Sequence, residues 1–314
     1  MIFDGTNLVC VIGEENSGRR SLICSIINKF AFNPVFTNGN KWTLSPMKKS
    51  MEMLDDAELI QNSLASFDAI KIFDIENIVS DEREIIPDFA DLALLINDEL
   101  CGRIHFSNIR GNTKNYENLK KYAYSILLVV IECRAVLDND SEYFDRLLFQ
   151  LAKAVDVSPV KPRIVFALTK ADILSEEMRS RDFEKFYELF EQNAKPLLSY
   201  CLKNALMFER KAVSAFNQDK SKIFGSNGEF LKEPCFEPWE VERLLFDMVY
   251  LAVPVIRERL KNVIYECNDT IRRRRGIFNR ENIRAQLDLR LARQNLCIAI
   301  KNIYPLDNAA KYIE

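Results

Sequence analysis

Residues 13–21 read Gly13-Glu14-Glu15-Asn16-Ser17-Gly18-Arg19-Arg20-Ser21: two glycines five positions apart, then two guanidinium groups and a hydroxyl. Glycines in such a turn let successive backbone N–H groups converge on an anion. A helix that starts directly after it adds partial positive charge at the same point. The chemistry this spacing supports is the cradling of a phosphate group. Arg19 and Arg20 can neutralise phosphate charge, but a guanidinium cannot ligate a metal cation, and the hydroxyl of Ser21 stands one position later. Taken alone, the segment also reads as a glycine turn that caps a helix.

A second group of residues supports a different recognition. Thr169-Lys170-Ala171-Asp172 follows the apolar run PRIVFAL at 162–168. A carboxylate here can accept two hydrogen bonds from the N1/N2 edge of guanine, with the Lys170 stem along the base. A mismatched base would leave that carboxylate buried and unpaired, which makes such a site discriminating. Ser214-Ala215-Phe216 follows another apolar run, where a backbone N–H could meet the guanine O6. A Ser-Ala pair alone carries little information.

The elements that must position these residues follow from hydrophobic pattern. The run 8–12 predicts a buried strand and 21–30 a helix, with apolar residues at helical spacing. Residues 33–87 have no clean period, although 47–65 could form a helix. Two runs, 92–97 and 103–109, predict an antiparallel hairpin. The run SILLVVI at 125–131 is the strongest strand signal, after a helix at 116–124. Helices are expected at 142–155, at 180–202 with an interruption at Pro196, at 238–264 despite Pro254, and at 280–303. Strands are expected at 162–168 and 208–213, and 225–228 marks a loop. Strands alternating with helices give an α/β class with a doubly wound, mostly parallel sheet. The phosphate-type loop and the aspartate then share the carboxyl edge, where such sheets bind ligands.

Composition sets outer limits. The 314 residues are 48% hydrophobic and 28% charged, ordinary for a globular chain with a sizeable core. The net charge of −3 hides a strong asymmetry. Residues 51–100 carry −12, and residues 271–301 carry +7, including Arg272-Arg273-Arg274-Arg275. The basic run predicts either a surface for nucleic acid or an acidic partner, or a solvated helix end; few aromatics accompany it, so nucleic acid is the weaker expectation. Leu287, Leu291 and Ile298 predict a helix with an apolar face that packs either on its own domain or on a partner subunit, with the acidic 51–100 stretch the charge-complementary internal candidate. Eight scattered cysteines, no CxxC and a sole histidine, His105, fit a reducing, cytoplasmic setting without a zinc cluster. No apolar run reaches the length of a membrane span, and no signal peptide, repeat or low-complexity segment is visible.

Together these residues resemble the P-loop GTPases, and more narrowly the bacterial double-GTPase-type G domains of multi-gene conflict systems. The resemblance covers residues 8–246. It rests on the loop at Gly13, on Ser107-Asn108-Ile109-Arg110-Gly111, on SILLVVI, LTKADIL and VSAF, and on EPWEVERLLF at the start of the long helix. It implies a G domain over 1–270, a basic helical extension over 271–314, and GDP or GTP as ligand. It implies nucleotide contacts from Gly13, Asn16, Ser17, Gly18, Arg19, Arg20, Ser21, Thr169, Lys170, Asp172, Ser214, Ala215 and Phe216. It also marks departures. Asn108 stands where the family's magnesium-holding aspartate belongs, with Gly111 kept and Asn112 in the water-positioning place. Arg20 replaces the magnesium-binding hydroxyl, and no threonine lies between Thr43 and Thr113, leaving Ser80 for the switch position. Hydrolysis needs that ion to neutralise β/γ charge. The expectation is a pseudo-GTPase, with magnesium doubtful, acting as a regulatory or structural subunit through protein partners. The alternatives are a G-domain-shaped scaffold without nucleotide, and an active GTPase that uses Ser21 and an acid of the 81–84 segment for the metal.

Overall fold

The computed structural model describes residues 6–31, 34–37, 40–46, 88–108, 124–158, 161–217, 219–222, 225–226, 231, 237–273 and 280–298. The expected helices at 47–65 and 116–123, Ser80, the 81–84 acids, Gly111, Asn112, Arg274 and Arg275 lie outside the described residues, as does most of the acidic 51–100 stretch before residue 88.

The chain is α/β, built on an eight-stranded mixed sheet. Strands β1 (Thr6–Gly13), β5 (Glu99–Asn108), β6 (Ile126–Glu132), β7 (Arg163–Thr169) and β8 (Phe208–Ala212) run parallel. Strands β2 (Val35–Thr37), β3 (Asn40–Pro46) and β4 (Asp88–Ile96) extend the sheet antiparallel beyond β5. The order is β2-β3-β4-β5-β1-β6-β7-β8. From β1 the chain first builds the β5 side, then crosses to β6 on the other. β1 is therefore the switch point of the sheet, whose carboxyl end is the favoured place for a ligand.

Helices cover both faces, which explains why the parallel strands read as unbroken apolar runs. On one face Val9, Val11, Ile126, Leu128, Val130, Val165 and Ala167 pack under α1 (Arg19–Ala31) and α6 (Val241–Arg273). On the other Cys10, Ile12, Leu127, Val129, Ile131, Phe166 and Leu168 pack under α2 (Cys133–Leu137), α3 (Ser141–Val157), α4 (Glu176–Asn193) and α5 (Lys195–Lys203). Adjacent residues of one strand thus feed different cores, as the period of two requires. The last helix, α7 (Arg280–Ile298), packs back on α6. No helix among the described residues is long and apolar enough to cross a membrane.

Several boundaries differ from expectation for local reasons. The hairpin strands are longer than 92–97 and 103–109, because the turn is only Asn97-Asp98, both at positive φ (53° and 65°). That geometry suits the twist of a two-residue hairpin. The helix expected at 180–202 divides at Ala194, and Pro196 stands in the first turn of α5, where its missing N–H costs nothing. The long helix starts at Val241, carries Pro254 inside, and runs on to Arg273, so residue 270 lies within it.

Candidate functional site

The carboxyl ends of β1, β6, β7 and β8 meet at one edge of the sheet, and the loop after β1 is the part they share. Gly13 is buried there. A Cβ on it would stand 2.6 Å from the Val130 carbonyl oxygen and 3.3 Å from Arg19 Cδ, so the Arg19 stem crosses directly over the glycine. Asn16 and Gly18 hold φ of 61° and 83°, the left-handed region that asparagine tolerates and glycine favours. The Ser17 N–H donates to Glu14 O at 3.3 Å, and Gly18 O accepts from Leu22 N at 2.9 Å, which joins the loop to α1. Arg19 and Arg20 are the first two residues of α1, and Ser21 follows half-buried. The Ser17 hydroxyl is buried with no hydrogen-bond partner.

Two contacts fix the loop from outside. Glu14 accepts from Arg146 Nε at 2.7 Å and from the Gln150 amide, both on α3. Thr169, the last residue of β7, donates from Oγ1 to Ser17 O at 2.6 Å, with Ile131 O 3.2 Å away. Thr169 is buried. The first residue of the Thr-Lys-Ala-Asp run therefore ties the loop after β1 to the end of β7.

The rest of that run turns sharply. Lys170 takes a left-handed φ of 59° and its Nζ lies 3.1 Å from Glu132 Oε1 at the end of β6. Asp172 sits half-buried in a short 3-10 turn (Ala171–Ile173), and its Oδ1 accepts from the Ser214 hydroxyl at 3.0 Å. Ser214 is buried, and its backbone exchanges two hydrogen bonds with Trp239, at 3.1 and 2.9 Å. The Ser25 hydroxyl of α1 donates to Ala215 O at 3.2 Å, and Phe216 is half-buried beside them. The three sequence motifs thus form one bonded network: loop to Thr169, Asp172 to Ser214, Ala215 to α1.

Asn108 closes β5, in register with Val11 of β1 and with Asp88, the first residue of β4. Cys133, next to Glu132, is fully buried. Burial pushes its thiol well above the usual range, and the charges of Asp172 and Glu132 add to this, so it is inert as a nucleophile.

The sequence reading missed Glu14, Arg146 and Gln150 as the brace of the loop, Glu132 as the partner of Lys170, and Ser25 and Trp239 as supports of the Ser214 segment. Only Trp239 carried a signal, as part of the stretch that opens the long helix. In comparisons with known proteins, no family model matches this chain, and no curated protein matches it either.

Proposed function

We propose that this chain is a guanine-nucleotide-binding protein of the G-domain type whose metal-dependent half is altered, a pseudo-GTPase that serves as a regulatory or structural subunit. The observation that carries this reading is the pairing of Asp172 with buried Ser214 at the edge where Thr169 holds the loop after β1. A carboxylate has about four acceptor sites. The Ser214 hydroxyl orients the carboxylate through Oδ1, and an oriented carboxylate at this edge is the group that would read the N1/N2 side of guanine. Two further features support the reading. Lys170 holds a left-handed backbone that a lysine rarely adopts, strain of a kind found at ligand sites. A helix N-terminus stands directly behind a loop that contains a buried, unpartnered hydroxyl.

Magnesium fits the residues poorly. Arg20 and Asn108 stand where the resemblance puts its ligands, and neither a guanidinium nor a neutral amide replaces a hydroxyl or carboxylate there. Arg19 and Arg20 supply positive charge instead. Nucleotide then acts as a structural ligand that stabilises the fold by mass action.

A second reading has its own support. The Ser17 N–H is spent on Glu14 O, and Lys170 is engaged by Glu132. Both bonds suit a scaffold that keeps the shape and binds no nucleotide, working through protein partners. Calorimetric titration with GDP and GTP, with and without EDTA, separates the two. The proposal expects binding that EDTA leaves unchanged and that Asp172→Ala weakens at least tenfold. No heat from any nucleotide supports the scaffold. Strict magnesium dependence, or brisk phosphate release that Asp172→Ala abolishes, rejects both in favour of an active GTPase.

A further inference from the structure

A groove lined in part by the EPWEVERLLF stretch, but by none of the phosphate-loop or Thr169–Asp172 residues, runs along the first turns of α6. It is bordered by the end of α1, by β2 and by Asn217, Asp219, Lys222 and Glu237, and offers about 680 Å³ while broadly open to solvent. Trp239, Phe246 and Tyr250 line it from the α6 side and Phe36 from β2. Phe246 is fixed from behind by Trp42 and Phe30, with ring centroids at 4.8 and 5.9 Å. Phe36 is 73% exposed, a phenyl ring held at the rim of the groove without burial of its own.

The charges around the groove are unevenly matched. Lys29 pairs with Glu242 at 2.8 Å, and Lys211 and Arg243 both turn to Glu240, at 3.3 and 3.5 Å. Asp219 accepts from the N–H and hydroxyl of Ser221. Asp247 lines the groove with no hydrogen bond or ion pair to any of the described residues. Burial pushes its carboxyl up to about 6; Glu209 and Glu240 push the same way, while Lys211 and Arg243 oppose them. Asp247 is half-buried, so its carboxylate is partly withdrawn from water, and a cation seated against it would offset that desolvation. Aromatic faces around it attract the same kind of group.

We propose that this groove binds an organic cation, an ammonium or guanidinium group on an apolar stem, with Asp247 as its counter-charge and the rings of Trp239, Phe246 and Tyr250 as its walls. The cation can come from a free polyamine or from the arginine side chain of a peptide; both offer the same chemistry. The groove includes neither Asp172 nor the loop after β1, so this inference stands apart from the nucleotide reading.

The chain has two tryptophans. Trp42 is buried with its Nε1 unpartnered, so Trp42→Phe removes an unsatisfied donor and leaves Trp239 as the sole reporter. Spermidine and N-acetyl-argininamide, titrated at pH 7.5, are expected to change Trp239 fluorescence saturably, and the tighter of the two identifies the source. Neutral N-acetyl-citrullinamide is expected to bind at least tenfold more weakly than its arginine counterpart. With the carboxyl near 6, only about a tenth is ionised at pH 5, so cation affinity should fall about tenfold there. Asp247→Asn should lose about tenfold at pH 7.5 and lose the pH dependence, while its own melting temperature rises at that pH. Calorimetry on the unmodified chain repeats the titration if Trp42→Phe fails to fold. Binding by neither cation, equal binding of the citrulline probe, or an Asp247→Asn variant that binds as tightly as the parent overturns the proposal.

Discussion

The Thr169 hydroxyl has a single proton and two carbonyls within reach, Ser17 O at 2.6 Å and Ile131 O at 3.2 Å. The shorter contact is the one that matters for the loop, because it is the hydroxyl's only link between the β7 end and the turn after β1. Removing it leaves a buried carbonyl without that donor. Thr169→Val keeps the shape and loses the proton, and should cost about 1–3 kcal/mol. Thr169→Ser keeps the donor and should recover most of the loss. Thermal melts of the three proteins check this, and the same variants read by nucleotide titration tell whether the tie also shapes the site. A Thr169→Val protein that melts with the parent would mean that the loop holds itself. The unpartnered Ser17 hydroxyl and the Trp42 Nε1 are the converse case: buried polar atoms that the fold leaves unsatisfied. Native proteins keep few of these, and each asks for a reason.

At the scale of elements, what could be read in the sequence depended on how completely a segment is buried. The run at 125–131 gave β6 to within one residue, because a parallel strand buried on both faces has no polar positions to blur it. β3 went unread. It buries Trp42 and Leu44 but leaves Thr43 half-buried and Ser45 exposed, and an alternation of two apolar residues is too short to stand out. The candidate site was legible where its chemistry is local, in Thr169 to Asp172 and in Ser214, and silent in its supporting bonds, which are not. Glu14 and Arg146 are 132 residues apart, and Ser25 and Ala215 are 190; no spacing rule links such pairs. In α7 the face that packs on α6 is not the leucine face: Asn282, Ala285 and Ala292 are buried, while Ile283, Leu287 and Leu291 are 47%, 58% and 40% exposed. Small residues let α7 lie close to α6, and the larger side chains turn outward. Ala292→Leu should therefore overpack the contact and cost about 1–3 kcal/mol, though helix propensity barely changes. Leu287→Ala should stay within about 0.5 kcal/mol of the parent. Denaturant titrations of both variants check the assignment, and the reverse ranking would restore the leucine face as the packed one.

For the whole molecule, the two cores do not reach equally far. The central strands β1, β6 and β7 are paired on both sides, and their described side chains are almost all buried, with both faces under helices. α6 begins inside the same core, with Val241, Leu244, Leu245, Met248, Val249 and Ala252 buried. Past Pro254, which is exposed, its described side chains are half-buried or exposed, and α7 packs back on α6. The far half of that helical pair therefore has few buried apolar contacts to resist local opening. Amide exchange follows the free energy of the smallest opening that frees each bond. Peptides from 126–132 and 163–169 should exchange last, by the global route, while peptides from 262–273 and 280–298 should exchange orders of magnitude faster. Mass-resolved exchange at neutral pH measures both in one experiment. A saturating cation should slow the peptides around 239–250, and nucleotide those around 13–22 and 169–174. A ligand that slowed 262–273 and 280–298 to the rate of β6 would show instead that the helical pair and the sheet unfold as one unit.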